Sequence, residues 1–388
     1  MASHSRKIAS HYLLTPQGFQ PRPLVTISVA EDGSHEIVAV EQYGDSLDSM
    51  AGVEFYSGVL CAGFVNAHSH LELAYLKGAI AEHGGFAAFA ESMGRVRGTF
   101  SAEERLAAIE EADKVMWQEG IDVVGDIANG ATSFPTKAAS PIFYHTFAEV
   151  FGLRECNLER QRELLRYPNT SLTPHSIYSV QDAPFREVCQ ADCDRPLSIH
   201  FMETPDEALL YRGEGSLHEW YGKVGFECDF LHYGSPSERI VACVPSNRRV
   251  LLVHNCAISE RDIEVVMRHF SAPVSWVLCP RSNSYISGIE PQSVELLRSV
   301  GNNINICIGT DSLASNWSLS MVEELKMFRN IPLVEMLQWA TINGAKALGV
   351  EHLYGTIEVG KQSGIINLTG VDLDDFALTE SSRAVRII

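Results

Sequence analysis

The sequence predicts an α/β fold, a (β/α)8 TIM barrel carrying a small β-sandwich-like domain formed from both chain ends. Three observations point there. Eight apolar runs of strand length recur along the chain, segments of helical period separate most of them, and 388 residues suit a barrel of roughly 250 to 300 residues plus a smaller unit.

Residues 1 to about 60 hold short β-like runs, PLVTISVAE and HEIVAVEQY, divided by the turn material EDGS and GDSLDS. From residue 59 apolar runs alternate with helical segments, the pattern of parallel strands joined by crossover helices. The expected division is 1–58 with 355–388 for the small β domain and 59–354 for the barrel. The strand candidates are VLCAGFVNAH, DVVGDIAN, PIFYHTFAEVFG, TSLTPHSIYS, PLSIHFMET, RVLLVHN, VSWVLCPRSN and NICIGTDS. Between the first two, SAEERLAAIEEADKVMWQEG reads as a helix, with Ser101 and Glu104 as a capping box and Gly120 past its end. Ser259 is the expected N-cap of SERDIEVVMRHF. After the eighth strand, SLSMVEELKMF and PLVEMLQWATINGAKALG read as helices, and YGTIEVGKQSGIINLTG returns to β-like runs. The long stretch from Pro205 to Arg249, with Tyr211, Trp220 and Tyr221, is a candidate lid.

Composition narrows the function classes. Thirty basic against 49 acidic residues, a net charge of −19, disfavours nonspecific binding to nucleic acid or an anionic membrane. The expected partner is a small-molecule substrate, with a homodimer left open. Nine scattered cysteines, several in apolar runs such as LLVHNCAI and NICIGT, read as reduced thiols of a cytoplasmic protein. Cys189 and Cys193 lie four apart without a second pair, so ordinary packing is favoured over a zinc clip. The start, MASHSRKIASHYLL, lacks the long apolar core of a signal peptide.

The first strand candidate ends in AHSH, which puts His68 and His70 on one side of an extended backbone, within reach of one ion. His200 with Glu203, His254, and Asp311 stand near the ends of the fifth, sixth and eighth candidates. His200 alone is as readily a core histidine, and Asp311 alone a helix N-cap. In a barrel, however, the C-terminal ends of the strands meet on one face, so these residues would converge on a metal site.

These residues stand in GFVNAHSHLEL, TPHSIYS, IHFMETPDE, LLVHNCAIS, LCPRSNSYISG and IGTDSLASN, and through these six ordered motifs the chain resembles the amidohydrolase superfamily. The likeness is to its mononuclear aromatic deaminases, among them the methylthioadenosine/S-adenosylhomocysteine and aminodeoxyfutalosine deaminases. It implies His68, His70, His200 and Asp311 as metal ligands, Glu203 as proton shuttle and His254 as a further catalytic histidine. It also makes Asp311 catalytic. TSLTPHSIYS lacks the lysine with which dinuclear members bridge two metals, so one divalent ion is expected, zinc first and ferrous iron as the alternative. Substrate contacts are expected from His175 and Glu72, the latter through the run H-x-H-L-E, and from Ser282 and Asn283. Asn316 is expected to orient the loop after Asp311.

The implied reaction is hydrolytic deamination of an aromatic ring amine, such as a 6-aminopurine nucleoside. A bound ion lowers the pKa of its water to about 7; Glu203 moves the proton to a ring nitrogen, and Asp311 and His254 assist attack and departure of the amine. Hydrolysis of another C–N or a C–halogen bond, or a catalytically silent metal-binding scaffold, are the alternatives.

Overall fold

The computed structural model describes residues 3–31, 33–44, 52–288, 293–301 and 304–388. Eight parallel strands follow one another at Phe64–Ser69, Ile121–Ala128, Phe143–Val150, Thr170–Pro174, Leu197–Phe201, Val250–His254, Val274–Leu278 and Asn305–Ile308. Nearly every residue in them is buried, which is why they read as continuous apolar runs. The first four form one sheet in sequence order and the last four another. Single parallel bridges link the two arcs at both seams, Ser176 with His200 and Ser69 with Asp311. Helices stand in each crossover, as βα alternation requires.

Both anticipated helix starts are present. Ser101 accepts from the Glu104 N–H at 3.2 Å while Glu104 accepts from the Ser101 N–H at 2.8 Å, opening Ala102–Gln118. Gly120 takes φ +88°, which ends that helix. Ser259 caps Glu260–His269 and is answered by Asp262, a capping box with aspartate in the place of the usual glutamate.

Several strands depart from the bounds of their apolar runs. VLCAGFVNAH divides at Gly63: Val53–Ala62 joins the end sheet, and Phe64–Ser69 starts the parallel set. Both halves are buried, so hydropathy shows no break. A Cβ at Gly63 would lie 2.1 Å from the Asp122 carboxylate, so only glycine fits the crossing. In VSWVLCPRSN the strand ends at Leu278, because Pro280 opens a helix, Pro280–Ser287. In TSLTPHSIYS it ends at Pro174.

The chain ends share one seven-stranded sheet of Ser3–Thr15, Gly18–Pro21, Pro23–Ala30, His35–Gln42, Val53–Ala62, Ile365–Asp372 and Ala377–Arg386. It is a single sheet among the described residues, where a sandwich-like pair was expected. Its inner face buries Ile8, Val25, Ile27, Leu60 and Ile365. Residues 356–359 of YGTIEVGKQSGIINLTG form no strand, and most of GDSLDS lies outside the described residues. No described helix is long and apolar enough to cross a membrane.

Asp122 ties this sheet to the second parallel strand. Its Oδ1 accepts from Arg386 Nη1 at 2.8 Å and its Oδ2 from the Gly364 N–H at 2.6 Å, with both side chains nearly buried. Asp122→Ala should cost about 3 kcal/mol by leaving a buried guanidinium unpaired. Thermal unfolding checks this, and an unchanged melting temperature would remove the pair from the fold's support.

Candidate functional site

The C-terminal ends of the first, fifth, sixth and eighth strands bring His68, His70, His200, His254 and Asp311 together. Asn66 braces two of these strands: its Oδ1 accepts from the N–H groups of His68 (3.3 Å) and Thr310 (3.1 Å), and its Nδ2 donates to Thr310 Oγ1 at 2.7 Å. A Cβ at Gly309 would sit 2.8 Å from that of His68, so glycine permits the approach. His254 and Asp311 adopt φ of +79° and +55°, a strained conformation that re-aims the backbone just where the strands end.

His70 Nε2 lies 3.3 Å from His200 Nε2 and 3.5 Å from Asp311 Oδ1, and His68 Nε2 lies 3.8 Å from that same oxygen. His200 Nδ1 donates to the His175 carbonyl at 2.7 Å, which leaves the Nε2 lone pair facing the cluster. His68 is fully buried with neither ring nitrogen hydrogen-bonded, and His70 Nδ1 is also without a partner. Burial, reinforced by the neighbouring imidazoles, keeps these rings neutral: His68 falls well below its ordinary range, His70 to about 3 and His200 to about 4. Neutral imidazoles and one carboxylate, with orphaned nitrogens, fit a divalent cation.

Asp311 divides its two oxygens between tasks. Oδ2 accepts from Ser282 Oγ at 2.6 Å and Ser315 Oγ at 2.8 Å, so Oδ1 is turned to the histidines. Burial would raise this carboxyl, but His70, His254 and the Ser282 hydroxyl together hold it below its usual value.

Glu203 stands apart from that ring of donors, with Oε1 3.9 Å from His254 Nε2. Burial raises it to about 7, against the opposing pull of His200. His254 Nδ1 donates to Asn283 Oδ1 at 3.0 Å, and burial keeps the ring neutral, so its Nε2 lone pair points towards Glu203. The turn bearing Glu203 is held by Glu207, which accepts from the N–H groups of Met202, Glu203 and Thr204 at 2.8, 2.7 and 3.3 Å. Glu207 escaped the sequence reading, although Thr204-x-x-Glu207 has capping-box spacing.

A cavity of about 400 Å³ opens over these groups, within the usual range of small-molecule sites. Phe86, Phe89, Met93, Leu217, Tyr221 and Phe226 supply apolar wall, so part of the 205–249 segment bounds the cavity. Tyr211 instead donates to the Ile177 carbonyl at 2.7 Å and lies outside it.

Of the expected substrate residues, His175 lines the cavity, stacked on His200 at 4.6 Å with Nδ1 2.8 Å from Ser179 Oγ. The other three stand off its wall. Ser282 and Asn283 do not line the cavity; the turn at Pro280 sends them back to Asp311 and His254, where they position those side chains. Glu72 sits behind the cavity on the turn Leu71–Leu76, 3.5 Å from Arg97, in an adjoining space of about 130 Å³. Asn316 bridges the Thr310 carbonyl (2.8 Å) and Glu324 (2.7 Å), bracing the loop after Asp311. No cysteine joins a metal-capable group among the described residues.

Residues 59–386 match the amidohydrolase family. An adenosine deaminase of Helicobacter pylori is 28% identical over 331 residues, 80% of this chain and 79% of its own length. A 5-methylthioadenosine/S-adenosylhomocysteine deaminase of Thermoanaerobacter pseudethanolicus is 26% identical over 342 residues, 78% of this chain and 72% of its own. The crystal structure of the aminofutalosine deaminase of Helicobacter pylori in complex with methylthio-coformycin superposes with a TM-score of 0.81 at 25% identity, covering 99% of this chain and all of that one.

Proposed function

The chain belongs to the amidohydrolase family, and from that premise we propose that it is a metal-dependent hydrolytic deaminase of a 6-aminopurine nucleoside, such as aminodeoxyfutalosine or an adenosine derivative. The observation that supports this most is the separation of roles at the cavity floor. Three neutral imidazoles and Asp311 face one another, while Glu203 lies outside them, beside His254. We assign His68, His70, His200 and Asp311 as ligands of one divalent ion, zinc in preference to ferrous iron. The assignment treats the two four-stranded arcs as one TIM barrel, whose strands present their C-terminal ends on a shared face.

When bound, such an ion supplies a water acidic enough to give up its proton near neutral pH. Glu203, poised near pH 7, can take a proton and hand it to a ring nitrogen of the purine, which removes the resistance of the aromatic ring to addition at the amino-bearing carbon. His254, with its Nδ1–H committed to Asn283, offers Nε2 as an acceptor and so orients an O–H donor on that side of the cavity. The two serine hydroxyls on Asp311 Oδ2 keep Oδ1 aimed at the reaction space, where it can assist proton delivery to the departing amine. The apolar wall admits the ring and excludes water.

Ammonia release from a panel of aminopurine nucleosides and aminopyrimidines tests the proposal, with metal content measured on the same preparation. At least one 6-aminopurine nucleoside should yield ammonia, and chelation should abolish this until zinc, iron or manganese is restored. Product without ammonia would reassign the site to another hydrolysis. A chain without metal and without recoverable activity would be a scaffold.

A further inference from the structure

Glu149 has no part in the reaction as derived so far, yet it stands one residue before the end of the third parallel strand, in the wall of the same cavity. The side chain is almost fully buried. Asn129 Nδ2 donates to its Oε2 at 2.8 Å, whereas Oε1 has no hydrogen-bond partner. The neighbouring His200 Nδ1, 3.9 Å away, already gives its N–H to the His175 carbonyl. Buried carboxylate oxygens are normally hydrogen-bonded, so an open one in a ligand cavity points to a donor that arrives with the ligand.

The surroundings say what kind of donor. One polar atom each of Glu149, His175 and His200 lie within 4.8 Å of one another. That trio suits a second metal poorly, because His200 Nδ1 carries a proton and uses it. Two polar atoms so spaced are instead bridged by one hydroxyl oxygen about 2.8 Å from each. Glu149 lies on the Nδ1 side of His200, away from the Nε2 atoms around which the reacting carbon must sit. The group it meets therefore lies off the Nε2 side of His200 and is not the ring amine itself.

Resting on the nucleoside function above, we propose that Glu149, steadied by Asn129 and with His175 opposite, accepts a hydrogen bond from a sugar hydroxyl and selects ribonucleosides over deoxynucleosides. A site built to bond a hydroxyl discriminates strongly against the analogue that lacks it.

The test compares kcat and KM of the metal-loaded enzyme for adenosine, 2′-deoxyadenosine and 3′-deoxyadenosine, in the wild type and in Glu149→Gln. Wild type should favour adenosine over at least one deoxy analogue by about tenfold or more in kcat/KM, and Glu149→Gln should shrink that ratio to about threefold or less, mainly through KM, with metal content unchanged. A wild-type ratio near one, or an equal loss on all three substrates, would overturn the proposal. If no nucleoside yields ammonia although metal is bound, the deaminase assignment is what fails. The hydroxyl contact is then judged by thermal shift of the metal-loaded wild type, and the same measurement serves if the variant does not fold. Greater stabilisation by inosine than by 2′,3′-dideoxyinosine supports the contact; equal shifts, or none, overturn it.

Discussion

Glu203→Gln is expected to lower kcat by roughly 10²- to 10⁴-fold, the usual worth of a positioned acid–base group, with metal retained at about one per chain. The amide keeps the shape of the side chain but cannot carry a proton at neutral pH. Nothing in the turn depends on the Glu203 carboxylate, because Glu207 holds the three backbone N–H groups that shape it. The variant should therefore fold and load metal like the wild type. In the wild type, Glu203 must begin ionised to accept a proton, and burial raises its carboxyl to about 7, so kcat/KM should fall as pH drops below about 7. That acid limb should vanish in the variant. Single-turnover kinetics beside metal analysis decides the matter. Loss of metal would make Glu203 a ligand, and unimpaired turnover would move the proton shuttle elsewhere.

Much of this site was legible because its parts stand at strand ends, where sequence pattern is strongest. His68 and His70 stand at the end of the first parallel strand, and His200, His254 and Asp311 each follow an apolar stretch. What escaped notice depends on long-range pairing. Asn66 and Thr310 meet across the seam of the two arcs, and no local period links residues 244 apart. Glu149 reads as one polar residue in the strand run PIFYHTFAEVFG, and only the cavity reveals the open oxygen. Ser282 and Asn283 read as strand-end residues in CPRSN, within reach of substrate. Pro280 opens a helix there, and the two side chains bond His254 and Asp311. The break at Gly63 was hidden for another reason: burial on both sides of it produces one unbroken apolar run, although the strands belong to different sheets.

Asp311→Asn should reduce bound metal well below one per chain and turnover by about 10³-fold or more, the larger loss of the pair formed with Ser282→Ala. Among the described residues Asp311 is the one carboxylate within 4 Å of the Nε2 atoms of His68 and His70, and the amide removes its charge. Rotating the amide cannot restore the arrangement, since both oxygens act as acceptors: Oδ2 already receives two hydroxyls while Oδ1 faces the histidines. An NH2 group in either place loses one of these contacts. Ser282→Ala acts only through Oδ2, and Ser315 remains as a second donor, so metal affinity or activity should fall by about 10- to 100-fold. The two variants also separate the present placement of Ser282 from a substrate contact. A serine that touched substrate would raise KM with metal affinity intact, whereas one that steadies Asp311 weakens metal retention in proportion to turnover. Titration of the apo-protein with zinc, in parallel with kcat and KM, distinguishes these outcomes, and a pure KM effect would return Ser282 to the cavity wall.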